Sequence, residues 1–521
     1  MSRSKPAAGA PAKTAGAYLD GAVFLSGACT LVLEIVGTRV ISPYYGSSLY
    51  CWSAIITATL VALALGYYLG GRWADRNPEP TIFALACAGA GLAIVTIPLA
   101  RSWLLPATAS LGVRAGSLAA ALALMGPALV FLGTLTPIAV RLRTDLLANV
   151  GSRAGRIYAL STLGSVIGAM AAGFWLIPNF PISKILYGCS MLMLALSAVC
   201  LAFSRSGWAW AGTAAAVCVA FYGWRPQDSR RTNILLSRES PYGQIKVMDF
   251  NRHRYLLVNG TTQSLASLDT LESESEYARA MEWAALLRPG AERALVIGVG
   301  AGLLPMALER NYPLSVDSVD IDPEIIEVAR TYFGFSPKRG AATVEDGRTF
   351  LSRCAAQGRR YDLIFLDAFA TESPPYHLFT LESFQVMRQA LEPDGILAVN
   401  LVSLVHGKGG RPWRSAYKTL QAAFPGVRAF MASDAYEGLA NIVFLASAGP
   451  LHDEKAHSRL RPSIKADVLS MLSRELKVSG PEAQREALLS DEHAPIEFLL
   501  AESALQWRRG LQQRVPDILL Y

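Results

Sequence analysis

Carboxylates in the second half of the chain stand where apolar runs end. Asp320 lies in the apolar run 315–321, Asp346 follows the next predicted strand, and Asp367 follows 363–366. A carboxylate at the end of a buried strand can accept both hydroxyls of a ribose, hold an amino group or take a proton. A single acid there is most often a helix cap or a solvated loop residue. Their repetition along the chain predicts a nucleoside site.

Three glycines precede these acids. Gly298, Gly300 and Gly302 follow the apolar run 294–297, and Asp320 comes 18 residues after Gly302. Glycines at a strand-to-helix turn let the backbone approach a ligand at the helix N-terminus. A dinucleotide dehydrogenase is the competing interpretation of a glycine loop followed by an acid. The acids after the third and fourth strands favour an adenosyl-sulfonium cofactor instead.

Strands and helices must alternate to place these residues together. The sequence predicts strands at 294–299, 315–321, 361–367, 395–401 and 441–446, with helices such as 323–333 and 378–391 between them. This rhythm is typical of a parallel sheet covered by helices, whose sites lie at the C-terminal ends of the strands. Residues 232–264 alternate apolar and polar positions around turns, which predicts a small antiparallel β unit before the sheet.

The first 224 residues have a different composition. They carry 14 Lys or Arg and 5 Asp or Glu, whereas the rest of the chain carries 34 and 36. A membrane span needs about 20 apolar residues, and seven candidates stand at 17–41, 51–71, 81–100, 116–140, 156–177, 182–203 and 207–224. Basic residues cluster before the first candidate and after the second and fourth, which places the N-terminus in the cytoplasm. An odd number of spans would then put the adenosyl-binding part outside, so we expect an even number.

One acid interrupts the first predicted span. Glu34 lies within it, and Arg39 follows five residues later. An ionisable side chain at membrane depth is a functional candidate, and a structural pair is the equally plausible alternative. Glu34 and Arg39 are therefore the candidate residues of the membrane half, and Glu34 is the candidate for binding a polyamine cation.

The remaining composition argues against several classes of site. The soluble half has no basic excess, which disfavours nucleic acid as a partner. Six of the seven cysteines lie in apolar stretches, and neither zinc spacing nor a disulfide pattern is present, so no metal is expected.

The residues from about 236 to 402 resemble the spermidine synthases, the aminopropyltransferases that use decarboxylated S-adenosylmethionine. The apolar half resembles the multi-spanning segment fused to such domains in bacteria. The resemblance implies that the cofactor is bound by glycines, by an acid at the ribose, by an acid and glycine at the adenine and by an amide from the β unit. In this sequence these are Gly298, Gly300, Gly302, Asp320, Asp346, Gly347 and Gln263.

The same resemblance assigns the chemistry. Asp367 aligns with the acid that accepts the proton of the attacking amine, and Tyr277 aligns with the tyrosine of the diamine site. Gln244, Asn400 and Glu372 are further candidates for binding the substrate.

Two acids of the family are missing, which leaves the substrate open. Ala301 stands where the family holds the aminopropyl ammonium, and Ala370 stands where it helps bind the diamine. The expected function is a membrane-integrated aminopropyltransferase that transfers an aminopropyl group to an amine acceptor and releases methylthioadenosine. One alternative is that the acceptor is an unusual or a membrane-embedded amine. A methyltransferase using intact S-adenosylmethionine, and a polyamine transporter or sensor with a non-catalytic nucleoside domain, remain alternatives.

The expected organisation follows from these patterns. We predict a disordered lead (1–16), a transmembrane domain of seven or eight helices (17–224), a small β domain (232–280), a Rossmann-like cofactor-binding catalytic domain (285–450) and a helical tail (451–521). The tail shows no site chemistry and reads as a cover or an oligomer contact. The expected setting is a bacterial inner membrane, with the catalytic domain in the cytoplasm, the lipid bilayer and an amine as partners, and a homodimer as the assembly.

Overall fold

The computed structural model describes most of the chain. The described residues are 11–46, 49–143, 150–203, 214–215, 218–219, 233–436, 438–449, 451, 456–478 and 485–515. The chain forms two compact units, one made of Met1–Tyr45 and Tyr50–Asp228, the other of Gly46–Leu49 and Ser229–Tyr521. We describe each unit separately.

The first unit is helical. Its helices are α1 (Pro11–Tyr45), α2 (Leu49–Arg76), α3 (Pro80–Ala109), α4 (Gly112–Arg143), α5 (Val150–Asn179, with a π turn at Ala172–Leu176) and α6 (Ile182–Phe203). Each is long and apolar enough to cross a membrane. They correspond to the first six predicted spans. Helix α1 begins at Pro11, five residues before the predicted end of the lead. The first ten residues of the lead lie outside the described part, as does most of the seventh candidate, 207–224.

Small residues bring these helices close together. A Cβ added to Gly164 or Gly168 of α5 would overlap the main-chain oxygens of Phe24 and Ala28 on α1. Close backbone approach across glycines is a common way of packing helices in membranes. At one end of the unit, Asp20 of α1 accepts hydrogen bonds of 2.8 Å from Arg143 of α4 and Arg156 of α5, so one carboxylate links three helices.

The second unit begins with an antiparallel meander. Its strands are β1 (Ile234–Glu239), β2 (Gln244–Phe250), β3 (His253–Val258) and β4 (Thr261–Ser267). Ile245, Val247 and Leu256 are buried and pack, in one apolar cluster, with Val299 and Ala301 from the turn after the first strand of the main sheet. The meander therefore covers the glycine turn, as an amphipathic sheet with one buried face must.

The main sheet has eight strands. They are β5 (Arg293–Ile297), β6 (Ser315–Asp320), β7 (Ala342–Val344), β8 (Tyr361–Leu366), β9 (Leu391–Leu404), β10 (Gly426–Tyr436), β11 (Leu439–Ser447) and β12 (Glu475–Leu476), in the order β12-β10-β11-β9-β8-β5-β6-β7. Strands β5 to β9 pair in parallel, and β10 to β12 add an antiparallel edge. The predicted Rossmann-like fold class is confirmed, and strands β10 and β12 were not predicted. The order reverses between β5 and β8, which is where such sheets bind ligands.

Helices cover both faces of this sheet. They are α7 (Glu276–Met281), α8 (Trp283–Leu287), α9 (Leu303–Asn311), α10 (Pro323–Phe333), α11 (Gly347–Ala356), α12 (Leu381–Gln389), α13 (Arg411–Ala423), α14 (Pro462–Ser473), α15 (Ile496–Leu499) and α16 (Ala501–Arg514). One large core packs α11 to α13 against one face, and a second packs α7, α8 and α14 against the other. Burial on both faces explains why the central strands are continuous apolar runs.

Candidate active site

The glycine turn between β5 and α9 is the first part of the site. Gly298, Gly300 and Gly302 all have positive φ angles, of 92°, 52° and 74°. A Cβ on Gly298 would overlap the carbonyl of Asp367, and one on Gly302 would overlap the ring of Phe335. Both the backbone conformation and the close approach therefore require glycine at these positions.

Asp320 lies beside this turn at the end of β6. Its carboxylate accepts hydrogen bonds from the backbone N–H groups of Val299 (2.9 Å) and Asp322 (3.0 Å). Burial raises the pKa of Asp320 to about 6, because desolvation outweighs these hydrogen bonds. The glycine turn and this acid are thus locked together, as the ribose-binding role predicted for Asp320 requires.

Asp346 follows β7 and caps the N-terminus of α11. One oxygen accepts from the N–H of Thr349 (2.9 Å), and the other lies 2.8 Å from Nε2 of His377. Burial alone would raise the pKa of Asp346, but the hydrogen bonds from Thr349 and His377 leave it below its usual value. Gly347 comes next, and a Cβ there would overlap the side chain of Ile297. The helix cap orients Asp346, and the absence of a side chain at Gly347 lets the main chain lie close to Ile297.

Asp367 directly follows β8, the neighbour of β5, and lies beside the glycine turn. Its N–H donates to the carbonyl of Ile297 (2.9 Å), and its carboxylate accepts from Tyr277 Oη (3.2 Å) and Asn400 Nδ2 (2.8 Å). Desolvation raises the pKa of Asp367, while the two hydrogen bonds lower it by less. Burial and the neighbouring carboxylate raise the pKa of Tyr277, so the phenol stays a donor. Tyr277 and Asn400, both candidates from the sequence, therefore contact the carboxylate of Asp367, the third candidate.

A chain of amides supports Asp367 from behind. Ser433 Oγ donates to Asn441 Oδ1 (2.9 Å), and Asn441 Nδ2 donates to Asn400 Oδ1 (3.1 Å). This order fixes the Asn400 amide with its NH₂ toward the carboxylate. Sequence reasoning missed Ser433 and Asn441. The only signal was a polar residue at the start of the apolar run 441–446.

The two predicted glutamines lie on the meander. Gln263 Nε2 donates to the carbonyl of Thr371 (2.9 Å), so Gln263 reaches the loop that follows Asp367. Thr371 has a φ of 86°, an unusual conformation for a β-branched residue. Gln244 Nε2 instead donates to Glu239 on the neighbouring strand (3.1 Å). The structure joins Gln263 to the Asp367 loop and pairs Gln244 within the meander.

Glu372 is placed differently from the expectation. Its carboxylate is buried and ion-paired with Arg508 of α16, and it accepts hydrogen bonds from Thr261 (3.1 Å) and Thr371 (2.6 Å). The predicted role of Glu372 as a partner of the substrate ammonium needs revision, because Arg508 already offsets its charge. The tail was expected to carry no site chemistry, and Arg508 was missed because nothing in the sequence separates it from its neighbour Arg509.

Glu34 and Arg39 both lie on α1 of the helical unit. Both are half-buried, and a spacing of five residues places them about 140° apart around a helix axis. The two side chains therefore lie on different faces of α1. Within the described ranges, no group of three or more His, Cys, Asp or Glu could hold a metal ion.

The geometry defines an α/β domain with a nucleoside-type site at the ends of its parallel strands. Residues 276–405 match the spermine/spermidine synthase domain. The second unit is therefore spermidine synthase-like.

Three curated relatives illustrate the range of similar proteins. A polyamine aminopropyltransferase of Vibrio vulnificus is 40% identical over 120 residues, which cover 23% of this chain and 40% of the relative. Polyamine aminopropyltransferase 2 of Aquifex aeolicus is 23% identical over 404 residues, covering 72% of this chain and 77% of the relative. That share exceeds everything after Asp228, so the match includes part of the helical unit. The human eEF1A lysine and N-terminal methyltransferase is 35% identical over 119 residues, covering 21% and 17%.

The Vibrio vulnificus relative and a probable polyamine aminopropyl transferase of Bifidobacterium longum are each matched over only 40% of their own length. Among solved structures, the spermidine synthase of Thermotoga maritima is 21% identical with a TM-score of 0.37, covering 51% of this chain and 88% of that one.

Proposed function

We propose that the protein is a membrane-integrated polyamine aminopropyltransferase. It would transfer the aminopropyl group of decarboxylated S-adenosylmethionine to an amine and release methylthioadenosine. The observation that carries the proposal is Asp367, a half-buried carboxylate held by Tyr277 and Asn400 beside the glycine turn. The spermine/spermidine synthase domain at 276–405 supports the same activity.

The nucleoside end of the cofactor fits the residues present. Gly298, Gly300 and Gly302 form the turn after β5 with positive φ angles, Asp320 offers its carboxylate to the ribose hydroxyls, and Asp346 offers an acceptor for the adenine amino group. Gln263 lies at the edge of the loop after Asp367. Together these groups would orient the sulfonium toward Asp367, and orientation supplies much of the rate in such two-substrate reactions.

The transfer is a displacement at the methylene carbon beside the sulfonium. The amine nitrogen forms a bond to this carbon while the carbon–sulfur bond breaks, and the electron pair of that bond stays on sulfur in methylthioadenosine. The nitrogen must be uncharged to attack, so its proton passes to Asp367. Desolvation raises the pKa of Asp367 toward the working range of a general base. Tyr277 and Asn400 hold the carboxylate in place during this transfer.

The helical unit supports a location at a lipid bilayer. The six helices α1 to α6 have the length and apolarity of membrane spans. With the N-terminus in the cytoplasm and an even number of spans, the catalytic unit lies in the cytoplasm, where adenosyl cofactors are made. We propose a bacterial inner membrane as the location and a homodimer as the assembly.

A methyltransferase is the second candidate. Ala301 supplies no carboxylate for an aminopropyl ammonium, and its N–H instead donates to Ser264 Oγ (3.0 Å). The similarity to a human methyltransferase over 119 residues favours the same alternative. In that case intact S-adenosylmethionine would be the donor and S-adenosylhomocysteine the product.

Mass spectrometry of the nucleoside product separates these functions. The detergent-purified protein is incubated with decarboxylated or intact S-adenosylmethionine and a panel of amines. We expect methylthioadenosine that depends on the decarboxylated cofactor and on an amine. S-adenosylhomocysteine would establish the methyltransferase, and a bound but unchanged nucleoside would favour a transport or sensor role.

The residue assignment has its own test. Asp367→Asn should abolish turnover and spare methylthioadenosine binding, because the amide keeps the shape of the carboxylate and cannot take the proton. Asp394→Asn is the matched control, since the Asp394 side chain is 78% exposed at the surface of the same unit. Full activity of Asp367→Asn would overturn the assignment.

A further inference from the structure

A strained residue lies in the Asp367 loop (residues 367–373), which follows β8. Thr371 has a φ of 86°, which is unfavourable for a β-branched residue and persists only where the surrounding structure enforces it. Thr371 is also 2% exposed, so protein groups surround it. Strained backbone of this kind clusters at active sites, and Thr371 comes shortly after Asp367. The contacts that enforce this conformation are therefore candidates for a role in the reaction.

A side chain that contacts this residue comes from a bulge in β4. The register of β3 with β4 shifts between Leu256 and Leu257, which leaves Gln263 as the extra residue of β4. A bulge re-aims a side chain that regular alternation would direct elsewhere, and bulges are frequent next to active sites. Gln263 Nε2 donates a hydrogen bond of 2.9 Å to the main-chain carbonyl of Thr371. The bulge therefore directs the donor of Gln263 at the strained residue.

Further hydrogen bonds shape the Asp367 loop on both sides of this contact. At its start, the N–H of Asp367 donates to the main chain of β5 (2.9 Å), and near its end the N–H of Ala370 donates to the carbonyl of Ser373 (2.8 Å). Thr371 lies between Ala370 and Ser373, so the bond from Gln263 ties this turn to β4. Because three residues separate Thr371 from Asp367, release of the Thr371 carbonyl would let the catalytic carboxylate move.

We propose that Gln263 is a positioning residue of the reaction, which keeps Asp367 in place by holding the carbonyl of Thr371. The proposal rests on the aminopropyl transfer proposed above. It differs from the role that the resemblance implies, in which Gln263 contacts the nucleoside directly. The hydrogen bond to Thr371 occupies the donor end of the amide. Its loss would act on turnover through Asp367 and leave the affinity for the nucleoside unchanged.

The first test is the variant Gln263→Leu, which removes the donor. The kcat of methylthioadenosine release should fall by about tenfold to a hundredfold, because small displacements of a catalytic group have effects of this size. The affinity for methylthioadenosine, measured by calorimetry, should stay at the wild-type value. Thr262→Val is the matched control on the same strand, since the Thr262 hydroxyl has no hydrogen-bond partner among the described residues. This control should change neither quantity.

The second test places glycine at position 371. Glycine adopts a positive φ without steric cost, so the loop in Thr371→Gly depends less on the bond from Gln263. The loss of kcat caused by Gln263→Leu should be smaller in this background by a factor of about three or more. If Gln263→Leu does not fold, Gln263→Glu serves instead, because it keeps the shape and turns an oxygen toward the carbonyl. An equal loss of kcat in both backgrounds would overturn the proposal.

Hydrogen exchange separates this proposal from the reaction itself, because the N–H of Ala370 is bonded within the loop and reports its opening without turnover. Gln263→Leu should speed exchange in the peptide that contains Ala370 by about three- to tenfold, the effect of one lost hydrogen bond. If no product forms with any amine and exchange still responds in this way, the proposed reaction fails and the hold of Gln263 on the loop stands. If methylthioadenosine forms, and Gln263→Leu weakens nucleoside binding while kcat and exchange keep their wild-type values, the reaction stands and the positioning role is wrong.

Discussion

Replacing Asn400 with leucine tests how the protein sets the proton affinity of Asp367. Leucine keeps the volume of the side chain and removes the 2.8 Å hydrogen bond to the carboxylate. A hydrogen bond to a charged group contributes about 1.5–3 kcal/mol, and each pKa unit corresponds to about 1.4 kcal/mol. The bond favours the ionised form, so its loss should raise the pKa of Asp367 by about one to two units.

The assay is methylthioadenosine release across pH. Asp367 must be ionised to accept the amine proton, so kcat/KM falls as the pH drops through its pKa. In Asn400→Leu this acidic limb should move to higher pH by about one to two units. Asn441→Leu is the matched control: it acts on Asp367 only through Asn400, and we expect a shift of less than about half a unit.

Two results would refute this reasoning. An acidic limb that stays in place in Asn400→Leu would mean that Asp367 is not the group that titrates. A limb that moves to lower pH would mean that the amide favours the protonated acid. Thermal unfolding of each variant establishes that the protein remains folded during the measurement.

Two further predictions concern the nucleoside side. Methylthioadenosine should bind the wild-type protein less tightly below about pH 6, by up to about tenfold per pH unit, because burial raises the pKa of Asp320 to about 6 and the ribose needs the ionised carboxylate. The variant Asp320→Asn should bind methylthioadenosine weakly at every pH. A wild-type affinity, measured by calorimetry, that is constant from pH 5 to 8 would contradict this role of Asp320. Gly298→Ala should lower stability by more than about 2 kcal/mol, since its Cβ would overlap the main chain of Asp367, whereas Gly290→Ala has a similar φ of 91° with open space around it and should cost less. Equal unfolding midpoints for the two alanine variants would show that the close approach contributes nothing.

The parts of the site that the sequence predicts are those with a local pattern. Asp320, Asp346 and Asp367 each follow a strand that hydropathy identifies, and parallel strands bring their C-terminal ends to one edge of the sheet. Tyr277 and Asn400 came from the resemblance to spermidine synthases, and the structure places both on Asp367. The hydropathy pattern, together with the rule that parallel strands bring their C-terminal ends to one edge of the sheet, therefore predicts the acids at the centre of the site.

The supporting residues have no such pattern. His377 and Asn441 are single polar residues whose partners, Asp346 and Asn400, lie 31 and 41 positions away. Arg508 is separated from Asn259 by 249 positions, and only burial distinguishes it from Arg509. Contacts of this kind depend on how the packed helices and strands meet, which periodicity does not encode.

Hydropathy predicted the described long apolar helices well and their ends less well. Helix α1 begins at Pro11, within a segment whose Ala, Lys and Thr residues are not apolar enough to mark a span. Alanine favours the helix by its intrinsic propensity, which a hydropathy pattern does not measure. Strand β10 was missed because Arg428 and Ser433 interrupt its apolar residues.

Helix α16 also imposes an order on how the protein becomes active. The ribosome has made helices α1 to α6 and every strand of both sheets before it adds residues 501–514, which supply Arg508 and the hydroxyl of Ser503 that accepts the N–H of Leu404. Until then Glu372 has no cation to share its burial, and a buried carboxylate without one is strongly unfavourable. The loop that carries Asp367 is therefore expected to stay open in a nascent chain. If the protein has the proposed function, helices α1 to α6 can enter a bilayer during synthesis, whereas turnover waits for helix α16.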